Sequence, residues 1–391
     1  MGDPTRDLEQ WIPRLIAVWR SQRRGKQQQK QRGRFEEELP ESTLTRDELQ
    51  AVAAGVKQLS LGLTRDRQLA GARYMDDPKL LGAYLLFYWP VSYAQARATL
   101  SELTTRPRAV LDLGSGPGPL AFAALDAGAT SVVAADRSKP ALELAKALAT
   151  EAGEGIATRE WSPEKPIPDG KFDLITMGHV VNELYNGQIA PRAALLENVL
   201  ERVNPNGSLM VLEPALRETS RALLQVRDVL VDKGYAIRAP CLWRGNCPAL
   251  IKESDWCHAE RQWRMPKLVE ELARAAGLHK ESLKMSYLVV APKGEAWAPA
   301  PEGQVFRIVS EALPGKGRTR YMGCGPEGRV GLAMQEKHEN EQNRLFFKVT
   351  RGDVIRITNT EDRGDGRAIS DQSTVEIIAH AGKPVLTTPK S

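Results

Sequence analysis

The chain has 391 residues, with a hydrophobic fraction of 42%, a charged fraction of 26% and a formal net charge of +5. That length exceeds what one compact core usually fills and predicts a main domain with appended pieces. The composition is that of a globular protein, and no run of about 18 apolar residues is present, which excludes a helical membrane span.

The net charge understates a local asymmetry near the N-terminus. Between Arg20 and Arg34 the chain carries seven basic residues and no acid, and Glu36–Glu41 then reverses the sign. Residues 1–43 are read as a basic, flexible arm in which Arg23, Arg24 and Lys30 would attract a polyanion through counterion release. The competing reading is a solvated tail with no specific partner. The segment lacks the apolar stretch of a secretory signal, and Asp3, Asp7 and Glu9 run against a mitochondrial presequence. The expected compartment is a bacterial or archaeal cytoplasm, with the mitochondrial matrix as the alternative. In a reducing compartment, cysteines are expected to bind metal rather than to pair as disulfides.

Residues 44–104 read as a helical region, with amphipathic stretches at Leu44–Val56 and Lys79–Tyr88 and an Ala-rich one running to Leu103. From Ala109 the pattern alternates strand and helix. Strands are predicted at Ala109–Leu113, Ser131–Ala135, Phe172–Met177, Ser208–Leu212 and Ser286–Ala291. Helices are predicted from Pro119 and over Pro140–Glu151, Pro191–Val203, Glu218–Lys233 and Met265–Ala276. This order predicts an α/β domain over 105–298 with a Rossmann-like parallel sheet, interrupted by a cysteine-bearing insertion at 240–258. Beyond Pro299 short strand-like pieces at Val305–Val309, Leu345–Val349, Val354–Thr358 and Thr374–Ile378 predict a small β-rich region over 299–391.

The loop Asp112-Leu-Gly-Ser-Gly-Pro-Gly118 follows the first of these strands. Its glycines leave little side-chain bulk, so a ligand can approach the backbone at the N-terminus of the next helix. Asp136 ends the second strand, where an acid commonly accepts ribose hydroxyls. Asp112, Gly114, Gly116, Gly118 and Asp136 are the candidate cofactor-binding residues, against the alternative of a plain strand–helix turn. Val110–Gly118 resembles the first motif of class I S-adenosylmethionine-dependent methyltransferases, and Phe172–His179 resembles that superfamily's fourth-strand motif. The resemblance implies that the loop lies against the methionine part of the cofactor and that Asp136 binds ribose. The Asn/Asp-Pro-Pro-aromatic tetrapeptide of nucleic-acid amino methyltransferases is absent, since Gly178-His-Val-Val-Asn-Glu-Leu184 stands there. His179, Asn182 and Glu183 either orient a substrate or simply start a helix, and no catalytic residue is assigned.

All four cysteines, Cys241, Cys247, Cys257 and Cys324, lie in the second half. Three from one loop and one from a remote hairpin fit a four-thiolate site, for structural zinc or for an iron–sulfur cluster. The alternative is that buried cysteines pack as small hydrophobes. His258 reads as a neighbour of the site rather than a ligand.

Tyr84–Tyr93, the block from Pro240-Cys241 to Asp255-Trp-Cys-His258, and Arg307-Ile-Val309 leading to Cys324 resemble the Rsm-twenty-two family, mitochondrial ribosomal small-subunit assembly methyltransferase-like proteins with bacterial members. The resemblance implies a [4Fe–4S] cluster on Cys241, Cys247, Cys257 and Cys324 and association with small-subunit rRNA. Arg351-Gly-Asp353 stands where the family has Trp-Gly-Asp. Lys316, Arg318 and Arg320, just ahead of Cys324, are candidate phosphate contacts, against a solvated loop. The expectation is a monomeric, S-adenosylmethionine-binding, cluster-containing protein of ribosome biogenesis that methylates rRNA or assists assembly. The alternatives are a catalytically inactive rRNA-binding assembly factor and a small-molecule methyltransferase.

Overall fold

A computed structural model describes residues 4–27, 42–299, 301–364 and 366–385. The chain opens with a helix, α1 (Pro4–Gln27). Leu8, Trp11, Ile12, Leu15, Ile16, Val18 and Trp19 are buried along it, a stripe at helical spacing. Each such side chain contributes on the order of 1.5–3 kcal/mol on burial. Asp7 pairs with Arg97 at 2.6 Å, and the Trp11 indole N–H donates to Asp126 at 2.8 Å. The flexible arm expected over 1–43 is therefore replaced, as far as Gln27, by a docked helix. The basic run obscured the apolar stripe just before it; residues 28–41 lie outside the described residues.

Helix α2 (Arg46–Ser60) starts at a capping box, in which Thr45 accepts from the Glu48 N–H and Glu48 accepts from the Thr45 N–H. It runs into a π-helical turn at Leu61–Arg65. A 3-10 turn at Tyr74–Asp76 precedes α3 (Pro78–Ala83), and a second π-helical turn at Tyr84–Tyr88 leads into α4 (Trp89–Leu100).

The α/β unit follows as β1 (Ala109–Leu113), α5 (Pro119–Asp126), β2 (Ser131–Asp136), α6 (Lys139–Ala152), β3 (Ala157–Glu160) and β4 (Phe172–Gly178). It continues with α7 (Ile189–Leu200), β5 (Val203–Pro214), α8 (Arg217–Asp232), β6 (Ile237–Ala239), β7 (Ala259–Arg261), α9 (Lys267–Ala276) and β8 (Leu283–Val290). Strand order is β3-β2-β1-β4-β5-β8-β6, with β7 paired to β8. The strands from β3 to β5 are parallel, and β8 is antiparallel to β5. This is the class I methyltransferase sheet that the sequence predicts. The order reverses between β1 and β4, so the crevice beyond their C-terminal ends is where such a sheet accepts a ligand.

The last part forms a second sheet from β9 (Gln304–Ile308), β10 (Leu313–Gly315), β11 (Arg318–Gly325), β12 (Gly328–Gln335), β13 (Val354–Thr358), β14 (Glu361–Asp362), β15 (Gly366–Ile369) and β16 (Thr374–Ala379). Their order is β14-β15-β12-β11-β9-β13-β16, with β10 on β11. The strand expected at Leu345–Val349 is instead a 3-10 turn, Arg344–Lys348. Phe346 in that turn is buried edge-on against Tyr321 at 5.1 Å, so its apolar character serves packing of the turn onto the sheet.

The two sheets are joined through Glu102, which follows α4. Its carboxylate accepts from Arg261 at 2.7 Å and from the Tyr287 hydroxyl at 2.6 Å, and lies 3.5 Å from Arg307 of β9. All four side chains are buried. Breaking such a pair by removing one partner leaves an uncompensated charge, at about 3–5 kcal/mol.

Candidate functional site

The glycine loop leaves β1 and closes on itself. The Gly114 and Ser115 N–H groups donate to the Ala135 carbonyl, and Gly114, Gly116 and Gly118 all have positive φ. A Cβ on Gly114 would lie 2.7 Å from Val180, so the position excludes any side chain on steric as well as conformational grounds. Asp112 is buried beneath the loop, accepting from Thr176 at 2.6 Å and from the Ala121 N–H at 3.1 Å. Burial pushes its carboxyl up to about 7. Asp136 accepts from the Gly116 N–H at 2.8 Å and from the Ser138 N–H at 2.7 Å. A carboxylate has about four acceptor positions, so some acceptor capacity remains for a ligand.

Gly114 and Asp136 line a cavity of about 80 Å³ beyond β1 and β4. Asp112, Gly116 and Gly118 shape that cavity without lining it. Its other walls include Tyr74, Met75, Asp76 and Trp161, which no sequence motif singles out, together with Glu183 and with Tyr84 of the Tyr84–Tyr93 block. Segment 71–76 is pinned across the opening: Arg137 donates to the Gly71 and Ala72 carbonyls, Ser138 to Asp76, and the Gly71 N–H to Glu183. Burial pushes Glu183 up to about 7 and raises Asp136. The Trp161 indole N–H, a donor with no acceptor capacity, is buried without a partner among the described residues. An orphaned donor, glycines that admit close approach and a buried acid fit a ligand with acceptor atoms and hydroxyls, as an adenosyl cofactor has.

Residues 179–183 divide. His179 also lines the cavity; its ring bonds Gln95 at 2.9 Å, and burial brings its pKa down to about 4, so it is neutral. Asn182 faces away, donating to Glu213, which burial pushes up to about 8, and accepting from Arg67. The Tyr84–Tyr93 signature supports the loop from behind. Trp89 donates to the Pro117 carbonyl at 3.1 Å, stacks on Tyr93 and meets Trp11 at 5.3 Å.

All four cysteines line a second cavity, also of about 80 Å³, between the two sheets. One water needs roughly 10–15 Å³ on such a measure, so the space exceeds that of a water or a lone ion. Cys241 follows β6, and Cys247 precedes a 3-10 turn with its N–H on Asp228 at 2.8 Å. Cys257 leads into β7, and Cys324 lies in β11. Burial raises Cys247 to about 12 and Cys257 to about 11, with neighbouring sulfurs adding to both. Cys324 is raised further by burial and the other three sulfurs, which places all four within mutual electrostatic reach. Free thiols of this kind stay protonated; thiolate ligation requires a cation to offset them.

Arg227, Arg307, Arg329 and Arg351 stand in the same walls. The Nε atoms of Arg227, Arg307 and Arg329, and Nδ1 of His258, are buried without a partner among the described residues. A buried donor left unmade costs about 1–3 kcal/mol, more when charged. Four thiols facing several unmet donors fit an anionic thiolate-bound group. Among the described residues no three or more His, Cys, Asp or Glu side chains converge as a site for a single ion. Arg351, standing for the family's Trp, bonds Glu311 and the Val309 carbonyl, while Gly352 has φ +102° and a built Cβ only 2.5 Å from Arg261.

Of the cationic candidates, Lys316, Arg318 and Arg320 are exposed on the β10–β11 hairpin. Arg318 and Arg320 share one strand face and line a groove with Arg363 and Arg367. Arg23 is exposed on α1, its guanidinium 4.7 Å from the Trp19 ring. The Arg24 side chain and Lys30 lie outside the described residues. Among the described residues no helix is long and apolar enough to cross a membrane.

Solved structures similar to the chain include a ribosomal protein L11 methylase from Lactobacillus delbrueckii subsp. bulgaricus, at 20% identity over 52% of this chain and 78% of that one, TM-score 0.34. A precorrin-6y C5,15-methyltransferase from Geobacter metallireducens matches at 18% identity over 51% and 89%, TM-score 0.34. An O-methyltransferase family protein from Burkholderia thailandensis matches at 13% identity over 65% and 75%, TM-score 0.39. No curated protein matches the chain. The family model described as Mitochondrial small ribosomal subunit Rsm22 matches residues 79–365, more than half of the chain and inclusive of the cofactor loop and all four cysteines, and the chain therefore belongs to that family.

Proposed function

We propose that the protein binds S-adenosylmethionine at the Gly114–Asp136 cavity, carries a [4Fe–4S] cluster on Cys241, Cys247, Cys257 and Cys324, and acts on small-subunit rRNA during ribosome assembly. The observation that carries the reading is the convergence of four cysteines, from a loop of the first sheet and a strand of the second, on one arginine-walled cavity in an Rsm22-family chain. A cluster places each thiolate on its own iron, so its ligands surround a space rather than meet at a point, which favours it over zinc. Lys316, Arg318 and Arg320 supply phosphate contacts, with Arg23, Arg24 and Lys30 as a second set. Where methyl transfer occurs, it relies on proximity and orientation, because burial makes the His179 ring, bonded to Gln95, a weak proton acceptor and no general base is assigned.

A second reading, an rRNA-binding assembly factor without catalysis, is favoured by the pinned segment 71–76 over the cofactor cavity. Methyl transfer from labelled cofactor to small-subunit RNA and to assembly intermediates separates the two. Incorporation supports the enzyme, and cofactor binding with no incorporation into either substrate supports the factor. Protein purified without oxygen is expected to hold about four irons and four sulfides. Zinc without sulfide overturns the cluster and leaves the four-thiolate site.

A further inference from the structure

Three arginines at the cysteine cavity are held in the same incomplete way. Arg227 uses its Nη atoms on Asp228 and the Gly245 and Trp243 carbonyls. Arg307 uses Nη1 on the Gly352 carbonyl, 3.5 Å from the Glu102 carboxylate, and Arg329 uses Nη1 on Asp255. Each guanidinium is thus fixed from its far end, while its Nε–H is buried and unmatched. The placement follows from strand register. Cys324 pairs directly with Arg329 on one neighbouring strand and with Arg307 on the other, so the three side chains leave one face of the sheet in a row. Arg227 comes from α8 on the opposite wall; burial would lower its pKa, but the Cys241 sulfur and Asp228 raise it.

The geometry points to Arg227, Arg307 and Arg329 as positioning residues that set the reduction potential of the cluster, through N–H···S donation and fixed positive charge. This rests on the cluster reading above. Adding an electron makes a thiolate-bound cluster more anionic, and a fixed cation in a water-poor cavity stabilises that state more than it would in water. Hydrogen bonds to the sulfurs act in the same direction. The arginines therefore raise the potential, and removing one lowers it.

The test is a spectroscopically monitored potentiometric titration of the full chain, purified without oxygen, comparing the parent with Arg329→Gln, Arg329→Lys, Arg227→Gln and a hairpin control, Arg320→Gln. At the parent's midpoint, Arg329→Gln and Arg227→Gln are expected to show the reduced-to-oxidised ratio lowered about tenfold, which is about 59 mV for a one-electron couple. Arg329→Lys, which keeps the charge and loses the Nε donor, falls between, and Arg320→Gln titrates with the parent. The Arg329 side chain keeps 21% exposure, so its variants decide the matter if Arg227→Gln does not fold. Full iron and sulfide in Arg329→Gln with the parent's midpoint overturns the assignment while leaving the cluster in place. Zinc in the parent overturns the cluster reading and this inference with it.

Discussion

The two cavities are of similar size but different lining. The one beyond β1 and β4 carries Asp76, Asp136 and Glu183 beside Arg73 and Arg137; the one between the sheets carries Arg227, Arg307, Arg329 and Arg351 and, among the described residues, no carboxylate. An acid-walled cavity suits a cofactor bearing a sulfonium and an amino group, and an arginine-walled one suits thiolates around iron. On the proposed reading, each ligand's counter-charge would be in place before the ligand arrives, which lowers the reorganisation that binding would otherwise require. The difference in origin is equally instructive. The acid groups come from the ends of β2 and β4 within the first sheet and from a segment laid over them, whereas the arginine wall needs α8 and the second sheet's β9, β11 and β12 all in place.

The largest effect on this contrast is expected from Cys324→Ser. It removes the one ligand supplied by the second sheet, so the protein should lose nearly all its iron and become readily cleaved within 292–303 under limited proteolysis, with cofactor affinity within about twofold of the parent. Loss of cofactor binding together with iron would show the two cavities to be one cooperative unit.

On the acid side, Gly114→Val drives a side chain into Val180 at a backbone φ of +70° and should abolish detectable cofactor binding. Asp136→Ala removes an acceptor worth about 1–3 kcal/mol, roughly a 5- to 150-fold loss in affinity by calorimetry. Parental affinity in both variants would place the cofactor elsewhere.

Buried carboxyls in and around the first cavity also predict a pH dependence. Asp112 and Glu183 at about 7 and Glu213 at about 8 are raised by burial above the ordinary carboxyl range. A raised folded-state value gives stability that is complete below the ordinary carboxyl range and lost progressively as pH rises from there to 7 to 8, so the urea midpoint should fall over that whole span and level off above it. A cationic ligand favours the ionised forms. Through Glu183, the one of these three that lines the cavity, cofactor affinity should therefore rise as pH increases toward 7, by up to about tenfold per unit, as calorimetry in buffers of different ionisation enthalpy would show.

The smallest effect is expected at the hairpin. Changing Lys316, Arg318 and Arg320 together to Gln should weaken RNA binding modestly and reduce the slope of log affinity against log salt by about 0.7–0.9 per lost contact, leaving both cavities as they are. An unchanged slope would remove the hairpin from the RNA footprint.

The contiguous half of this contrast was legible in the sequence because its signals are local. β1 falls where the apolar run predicts, and the glycine loop, Asp136 and the helix after Pro119 follow from short-range chemistry. What covers the cofactor cavity was not legible. Tyr74, Met75 and Asp76 sit in a short turn with no periodicity, and Trp161 declares itself only by an unmatched indole N–H. The four cysteines could be grouped by residue type, but the arginines around them could not, since cross-strand register in β9, β11 and β12 is a tertiary property. α1 was missed for a different reason: a conspicuous charge run overshadowed the amphipathic stretch before it. Leu345–Val349 misled because an apolar run of that length suits a buried turn as well as a strand.

The distance in sequence between Cys257 and Cys324 has a consequence for biosynthesis. At about 5–20 residues per second, the fourth thiol leaves the ribosome several seconds after the third, and it reaches its place only when β9, β11 and β12 have paired. During that interval the three earlier thiols belong to an open surface. Completion of the site is thus a late event in the life of the nascent chain, so iron content would report whether the whole polypeptide, rather than its methyltransferase portion alone, has been made and folded.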